Sequence, residues 1–210
     1  MSWIKTQMKP VKICTENPSF PLSEVFRGHD WKLSGGTKQA CVLAAGFILA
    51  LDAKTVAEIG VWQGFSSLML AKALACNTED GLLVSIDISA RNMKNSISSV
   101  ENIPVRHKTI VSDSMDADYD SILEGRKIDL AFIDGNHEYE YAMFDINKCC
   151  SFLVDWGVMI VHDYSKTAHP GVYAAVNDFT KKTGYSMFYI DENRESTDYR
   201  TAIIQKKGNY

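Results

Sequence analysis

The chain lacks the features that mark secreted, membrane-spanning or nucleic-acid-binding proteins. Its five cysteines, Cys14, Cys41, Cys76, Cys149 and Cys150, are odd in number and include an adjacent pair, which is no disulfide framework. There is no C-x-x-C pair, and no thiol stands beside a group that would lower its pKa, so the cysteines read as reduced core residues rather than nucleophiles. No stretch approaches the roughly 20 apolar residues of a membrane span. Met1-Ser2-Trp3-Ile4-Lys5 has no apolar signal region, and the expected location is cytoplasmic. The net charge is −4 and no basic run occurs, which argues against a nucleic-acid partner. The dinucleotide spacing G-x-G-x-x-G is absent as well, which disfavours a nicotinamide oxidoreductase.

What is present is an ordinary globular composition, 46% hydrophobic and 23% charged over 210 residues, enough for one domain with a full core. Prolines are few, and Pro10, Pro18 and Pro21 interrupt the start of the chain. Residues 1–36 read as an arm or lid with one short helix near Ser23–Arg27. Its interleaved Trp3, Phe20, Phe26 and Trp31 favour packing on the body over a disordered tail. The domain proper is expected over residues 37–210. Gly35-Gly36 opens an apolar, buried helix over Thr37–Leu51, with Thr37 as N-cap.

From Lys54 the pattern alternates. Strands are predicted at Lys54–Glu58, Leu82–Asp87, Val105–Val111, Ile128–Asp134 and Val158–His162, the last led in by Gly157. Helices are predicted at Ser66–Ala75, Ala90–Ser99, Ala117–Leu123, Glu138–Leu153 and Gly171–Lys182. Such alternation means a Rossmann-like, doubly wound, mostly parallel sheet. Tyr185–Ile190 and Thr201–Gln205 follow with no helix between them, so they form an antiparallel hairpin at one edge.

The chemistry is expected at the carboxyl ends of the strands. The first strand turns into its helix through Glu58-Ile59-Gly60-Val61-Trp62-Gln63-Gly64-Phe65-Ser66-Ser67. Gly60 permits the turn, and Gly64 would let a ligand approach the backbone closely. The bulky Val61-Trp62-Gln63 and the Glu58 carboxylate disfavour a pyrophosphate and suit a cationic or hydroxyl-bearing ligand; a tight corner without a ligand is the competing reading. Asp87 ends the next strand, where a carboxylate accepts hydrogen bonds from ribose hydroxyls. Asp113 and Ser114, one strand further out, could bond an adenine edge, Ser114 equally reading as a helix cap. Asp134 and Asp163 end neighbouring strands and would repel unless a cation lay between them. With His162 they make a hard site suited to Mg²⁺, or to Mn²⁺ or Fe²⁺ if the imidazole ligates. His137, three residues after Asp134, overhangs that site and can serve as a general base, its plainer reading being a first-turn helix residue. His29 and His107 receive no role. His169, ahead of Pro170-Gly171, could line the entrance.

The corner, together with Val84-Ser85-Ile86-Asp87, Phe132-Ile133-Asp134-Gly135-Asn136-His137 and Val161-His162-Asp163-Tyr164, resembles the class I S-adenosylmethionine-dependent methyltransferases from about Thr37 onward. Within them it is similar to the metal-dependent O-methyltransferases. The corner looks like that of catechol O-methyltransferase. The later motifs look closer to macrolide-sugar O-methyltransferases and cephalosporin-pathway methyltransferase-like proteins. The resemblance implies a seven-stranded sheet of order 3-2-1-4-5-7-6. It implies that Glu58, Gly60 and Ser66 hold the methionine end of S-adenosylmethionine, with Val61, Trp62 and Gly64 in the same corner. Asp87 would take the ribose, and Asp113 and Ser114 the adenine, with Asp134 bordering the cofactor. Asp134, His162 and Asp163 would hold a divalent cation, Mg²⁺ foremost. His137 and Asp134 would act on a hydroxyl of a small-molecule acceptor such as a sugar, polyol or catechol. His162 is a departure, since the sugar-modifying relatives carry a carboxylate there. The resemblance also leaves room for a homo-oligomer. A catalytically silent cofactor-binding protein and a metal-dependent hydrolase built on Asp134, His137, His162 and Asp163 are the alternatives.

Overall fold

The computed structural model describes residues 37–192 and 198–208. The expected arm over residues 1–36, with its short helix, lies outside the described residues. The elements run α1 (Lys38–Ala50), β1 (Thr55–Ile59), α2 (Phe65–Asn77), β2 (Leu82–Asp87), α3 (Ala90–Val100), β3 (Arg106–Val111) and α4 (Tyr119–Leu123). They continue with β4 (Ile128–Ile133), α5 (Tyr139–Phe152), β5 (Leu153–Val161), α6 (Pro170–Thr183), β6 (Ser186–Asp191) and β7 (Arg200–Gln205). The sheet has seven strands in the order β3-β2-β1-β4-β5-β7-β6, as expected. Strands β1 to β5 pair in parallel, and β7 runs antiparallel to both β5 and β6.

Both faces of the central strands are covered, which is why β1, β2 and β4 read as apolar runs. The side-chain period of two sorts their residues between two cores. Val56, Leu83, Leu130 and Phe132 pack on one face with Ile48 of α1 and Met69 and Leu70 of α2. Ala57, Ile59, Val84, Ile86 and Ala131 pack on the other with Ile146 of α5 and Val176 of α6. By this parity Glu58 and Ser85 share the face of Val56 and Leu83, under α2.

Three local expectations need correction. Thr37 stands at the N-cap position of α1, but its hydroxyl makes no capping hydrogen bond; it lies 3.8 Å from the Cys41 thiol. The short helix α4 begins at Tyr119 rather than Ala117, because the Asp118 carboxylate accepts from the Ser121 N–H and caps it. Strand β5 begins at Leu153, well before Gly157. Ile128 pairs with Leu153 while Leu130 pairs with Val158, so the strand bulges between them. Trp156 takes a left-handed φ of 67° in that bulge. A Cβ on Gly157 would meet Leu153 Cγ at 2.7 Å, so the glycine permits the bulge rather than announcing the strand.

Cys41 and Cys149 are buried free thiols, and burial pushes both far above neutral pH. Among the described residues no helix is long and apolar enough to cross a membrane.

Candidate functional site

The carboxyl ends of β1, β2, β3 and β4 surround a cavity of about 360 Å³. The corner after β1 forms one wall. Gly60 has φ +85°, and a Cβ there would lie 2.1 Å from the Asp134 carbonyl oxygen. That close approach brings β1's exit against β4's, so only glycine fits. Val61 and Trp62 line the cavity, Trp62 at a left-handed φ of 40° and largely exposed. A smaller adjoining pocket is lined by Thr37, Gln63, Phe65 and Ser66, with Gly60, Val61, Trp62 and Asp134 shared between the two.

Two corner residues have other duties than those expected from sequence. A Cβ on Gly64 would lie 2.7 Å from the Asn95 carbonyl oxygen. The bare Cα thus admits helix α3, and Gly64 lines neither cavity. Glu58 is fully buried and also lines neither. Its Oε2 accepts hydrogen bonds from the hydroxyls of Ser67 at 2.7 Å and Ser85 at 2.6 Å, and Oε1 has no hydrogen-bond partner. Burial pushes its carboxyl up to about 7 against the pull of the Ser66, Ser85 and Ser67 hydroxyls. The carboxyl is a floor beneath the corner.

Asp87 borders the cavity and is tied by neutral donors. The Val61 N–H donates to Oδ2 at 2.9 Å, the Ser89 N–H to Oδ1 at 2.7 Å, and the Asn92 amide to both oxygens. Asp113 lies across the cavity and accepts from the Met115 N–H and the Tyr141 hydroxyl. Ser114 lines the cavity too, and its hydroxyl turns to Asp145 of α5. Burial pushes Asp145 up to about 6 despite that contact. Ser114 caps no helix. Asn92 and Tyr141 went unseen in the sequence. Both sit in the first turn of the helix after an acidic strand end, where a helix start faces the rim.

The second half of the rim lies after β4 and β5, with Asp134 common to both halves. The His162 side chain is 3% exposed. Its Nδ1 lies 3.0 Å from Asp134 Oδ1 and 3.2 Å from Asp163 Oδ2. Its Nε2 lies 3.1 Å from Oε1 of Glu192, a buried residue at the end of β6 that in turn accepts from the Thr201 hydroxyl. Burial opposes a charge on His162, yet Asp134, Asp163 and Glu192 together raise its pKa well above the ordinary histidine range. Asp163 adopts φ 54°, a strained setting for a non-glycine residue. Burial would raise its carboxyl, but His137 and His162 hold it well below the usual carboxylate range. His137 Nε2 lies 3.1 Å from the same Asp163 Oδ2, and that contact raises its pKa against burial. His169 Nε2 lies 3.8 Å from it, and burial lowers His169. The His137 and His169 rings approach to 4.0 Å between centroids. A Cβ on Gly171 would lie 2.4 Å from the His137 carbonyl oxygen, so the start of α6 seats directly on the loop after β4.

The donor set around Asp134, His162 and Asp163 suits a divalent cation. One oxygen from each carboxylate and Nδ1 of His162 lie within 4.8 Å of one another, and a cation there would take the place of the proton on Nδ1. The other ring nitrogen lies beside Glu192 without an aligned hydrogen bond, in the place where ligating histidines carry an outer carboxylate. Glu192 had no signal in the sequence, where it falls in the loop between the last two strands.

Known proteins share this fold. A family profile described as "Methyltransferase domain" matches residues 57–164, half of the chain and nearly all of the rim. Caffeoyl-CoA O-methyltransferase 2 of Petunia hybrida is 30% identical over 91 residues, 43% of this chain and 36% of that protein. Caffeoyl-CoA O-methyltransferase 1 of Zea mays is 33% identical over 87 residues, 41% of this chain and 33% of that one. The matched stretch is thus about a third of the length of these relatives. Among solved structures, the O-methyltransferase from Bacillus cereus in complex with SAH superposes with a TM-score of 0.64 at 16% identity, covering 91% of this chain and 94% of that one. TomG from Streptomyces achromogenes, an O-methyltransferase involved in tomaymycin synthesis and solved with SAM, gives 0.64 at 15% identity, covering 89% and 94%. These two show the shared fold.

Proposed function

We propose that this chain, which belongs to the methyltransferase domain family, transfers a methyl group from S-adenosylmethionine to a hydroxyl of a small molecule, with a divalent cation at the β4–β5 rim. The observation that carries the reading is Asp134. It borders the cavity of the Asp87 half and belongs to the cation-ready cluster of the other half. One side chain joins a nucleoside-sized cavity to a cluster able to activate a hydroxyl. The relatives named as caffeoyl-CoA O-methyltransferases support the reaction type.

The geometry supports a role for each residue. Asp87, fixed by Val61, Ser89 and Asn92, presents its carboxylate to ribose hydroxyls. Asp113 and Ser114 border the place of the base, and Trp62 and Tyr141 offer aromatic surface to it. Ser66 and Gly60 bound the adjoining pocket, where the methionine end would lie, and Glu58 supports that corner from below. The sulfonium of the cofactor supplies an electrophilic methyl group. Asp134, His162 and Asp163 would hold a cation, Mg²⁺ foremost, whose charge lowers the pKa of a neighbouring hydroxyl. His137, oriented by Asp163, accepts that hydroxyl's proton. Holding acceptor and donor in line supplies much of the rate. A vicinal diol, on a sugar, a polyol or a catechol, suits a chelating cation.

The test is methyl transfer from labelled S-adenosylmethionine to a panel of diols and catechols with Mg²⁺ present. Asp134→Ala and His137→Ala are each expected to lose at least about a hundredfold in rate, in line with loss of a general base. Transfer that survives both substitutions would falsify the assignment. Cofactor binding with no transfer to any acceptor favours a silent binding protein. Metal-dependent hydrolysis without the cofactor favours the hydrolase alternative.

A further inference from the structure

We infer that His137, Asp163 and His169 form a second divalent-cation site, one that selects nitrogen-preferring ions over Mg²⁺. The site goes beyond the methyl-transfer reading and stands without it. It rests on three side chains brought together from three segments: the loop after β4, the end of β5 and the start of α6.

The distances fit a metal. Ligand atoms at the usual 2.0–2.2 Å from a tetrahedral Zn²⁺ lie about 3.4 Å from one another. His137 Nε2 and His169 Nε2 stand 3.1 and 3.8 Å from Asp163 Oδ2, on either side of that edge length. All three ligand atoms fall within 4.8 Å of one another. The two rings are tilted 49° at 4.0 Å between centroids, so both nitrogens converge on one oxygen without the rings stacking flat. Small rotations close the set around a cation.

The chemistry sets the preference. Two imidazoles and one carboxylate, with a face left open, suit Zn²⁺, Co²⁺, Ni²⁺ or Fe²⁺. Mg²⁺ demands oxygen ligands and gives up water reluctantly. The buried cluster of Asp134, His162 and Asp163 has two carboxylates to one imidazole, and so the opposite bias. The His137 and His169 side chains are 42% and 21% exposed, which gives an ion a path from solvent. Because Asp163 belongs to both sets, an ion on the histidines alters the affinity of the other set, and the reverse holds equally. An ion there also takes the His137 lone pair, so Zn²⁺ is expected to inhibit any reaction that needs His137 as a base.

The experiment is a Co²⁺ titration of the full chain, stripped of metal and then saturated with Mg²⁺ at the harder site. The expected result is one Co²⁺ per chain with visible absorption bands of a low-coordinate nitrogen–oxygen site, displaced by Zn²⁺ and not by further Mg²⁺. His169→Ala is expected to weaken Co²⁺ binding by at least about tenfold, the lower end of what losing even an outer-shell partner costs. His169→Gln, which keeps a polar side chain of similar reach, is expected to weaken it as well. The unfolding temperature of each variant without metal shows that the fold is intact. The inference is overturned if the unaltered chain shows no such bands, if Mg²⁺ displaces Co²⁺, or if both folded variants bind Co²⁺ as tightly as the unaltered chain. None of these readouts depends on methyl transfer, so failure here and failure of the proposed reaction are separate results.

Discussion

On the β1–β2 side of the rim, the Asp87 carboxylate is held by uncharged donors: two backbone N–H groups and an amide. On the β4–β5 side, Asp134 and Asp163 are held by imidazoles, with a third carboxylate, Glu192, behind His162. A carboxylate satisfied by neutral dipoles keeps its charge and position whatever else binds. A carboxylate satisfied by a titratable cation can trade that cation for another. The first side is a fixed cradle, and the second is an exchangeable one, suited to metal and proton traffic.

The largest expected effect comes from removing the cation between the acids. His162→Ala leaves Asp134, Asp163 and Glu192 without the buried imidazolium and is expected to cost about 3–5 kcal/mol in denaturant unfolding. Saturating Mn²⁺ or Mg²⁺ is expected to restore about 2.7 kcal/mol at a hundredfold excess over Kd, and a chelator to abolish the rescue. If the divalent ion restores nothing, the second half of the rim is no more exchangeable than the first.

Next in size is the floor beneath the corner. Glu58 has its folded pKa raised from 4.5 to about 7, so the folded chain binds a proton that the unfolded chain releases. Between those values the native state carries more protons, and stability falls as pH rises. The fall is complete above about 7 and amounts to something on the order of 3 kcal/mol. Glu58→Gln removes that slope, so the loss of stability between pH 5 and pH 8 is expected to shrink. An unchanged slope would mean that Glu58 is ionised in the fold and belongs with Asp87.

The smallest effect is expected where the cradle is fixed. Asp87→Asn keeps a hydrogen-bond acceptor but loses the charge, and S-adenosylmethionine affinity is expected to fall about ten- to a hundredfold by calorimetry, the worth of a charge-assisted hydrogen bond. Divalent ions are expected to leave that loss unchanged. Rescue of Asp87→Asn by metal would erase the difference between the two sides.

Much of this was legible because strands end where their acids stand. Asp87, Asp134 and Asp163 each close an apolar run, Asp113 follows the more polar β3, and parallel topology carries every such end to one rim. The hairpin was legible from two strands with no crossover between them. Glu58 was harder. It lies one residue inside β1, on the face that α2 covers, so its parity and not its neighbourhood decides that it stays beneath the corner. Gly64 shows the same limit, since a glycine in a turn does not reveal whether ligand or helix needs the space. Asn92 and Tyr141 lie close in sequence to Asp87 and Asp134, but a polar residue in a first helical turn reads as surface; Glu192 reaches the site from a segment far away in sequence, and no local pattern marks such a side chain. The early start of β5 was hidden because its bulge passes through Asp155-Trp156-Gly157, which reads as a turn.

Gly171 ties the two histidine-bearing segments together, and this bears on how the site can evolve. With 2.4 Å between its missing Cβ and the His137 carbonyl, every single-step replacement of that glycine pushes α6 away from the loop after β4. His137 and His169 therefore cannot drift independently. A lineage that lost one alignment would lose both at once, and variation in this surface would come through exchange of the histidines themselves rather than gradual shifts of the backbone that presents them.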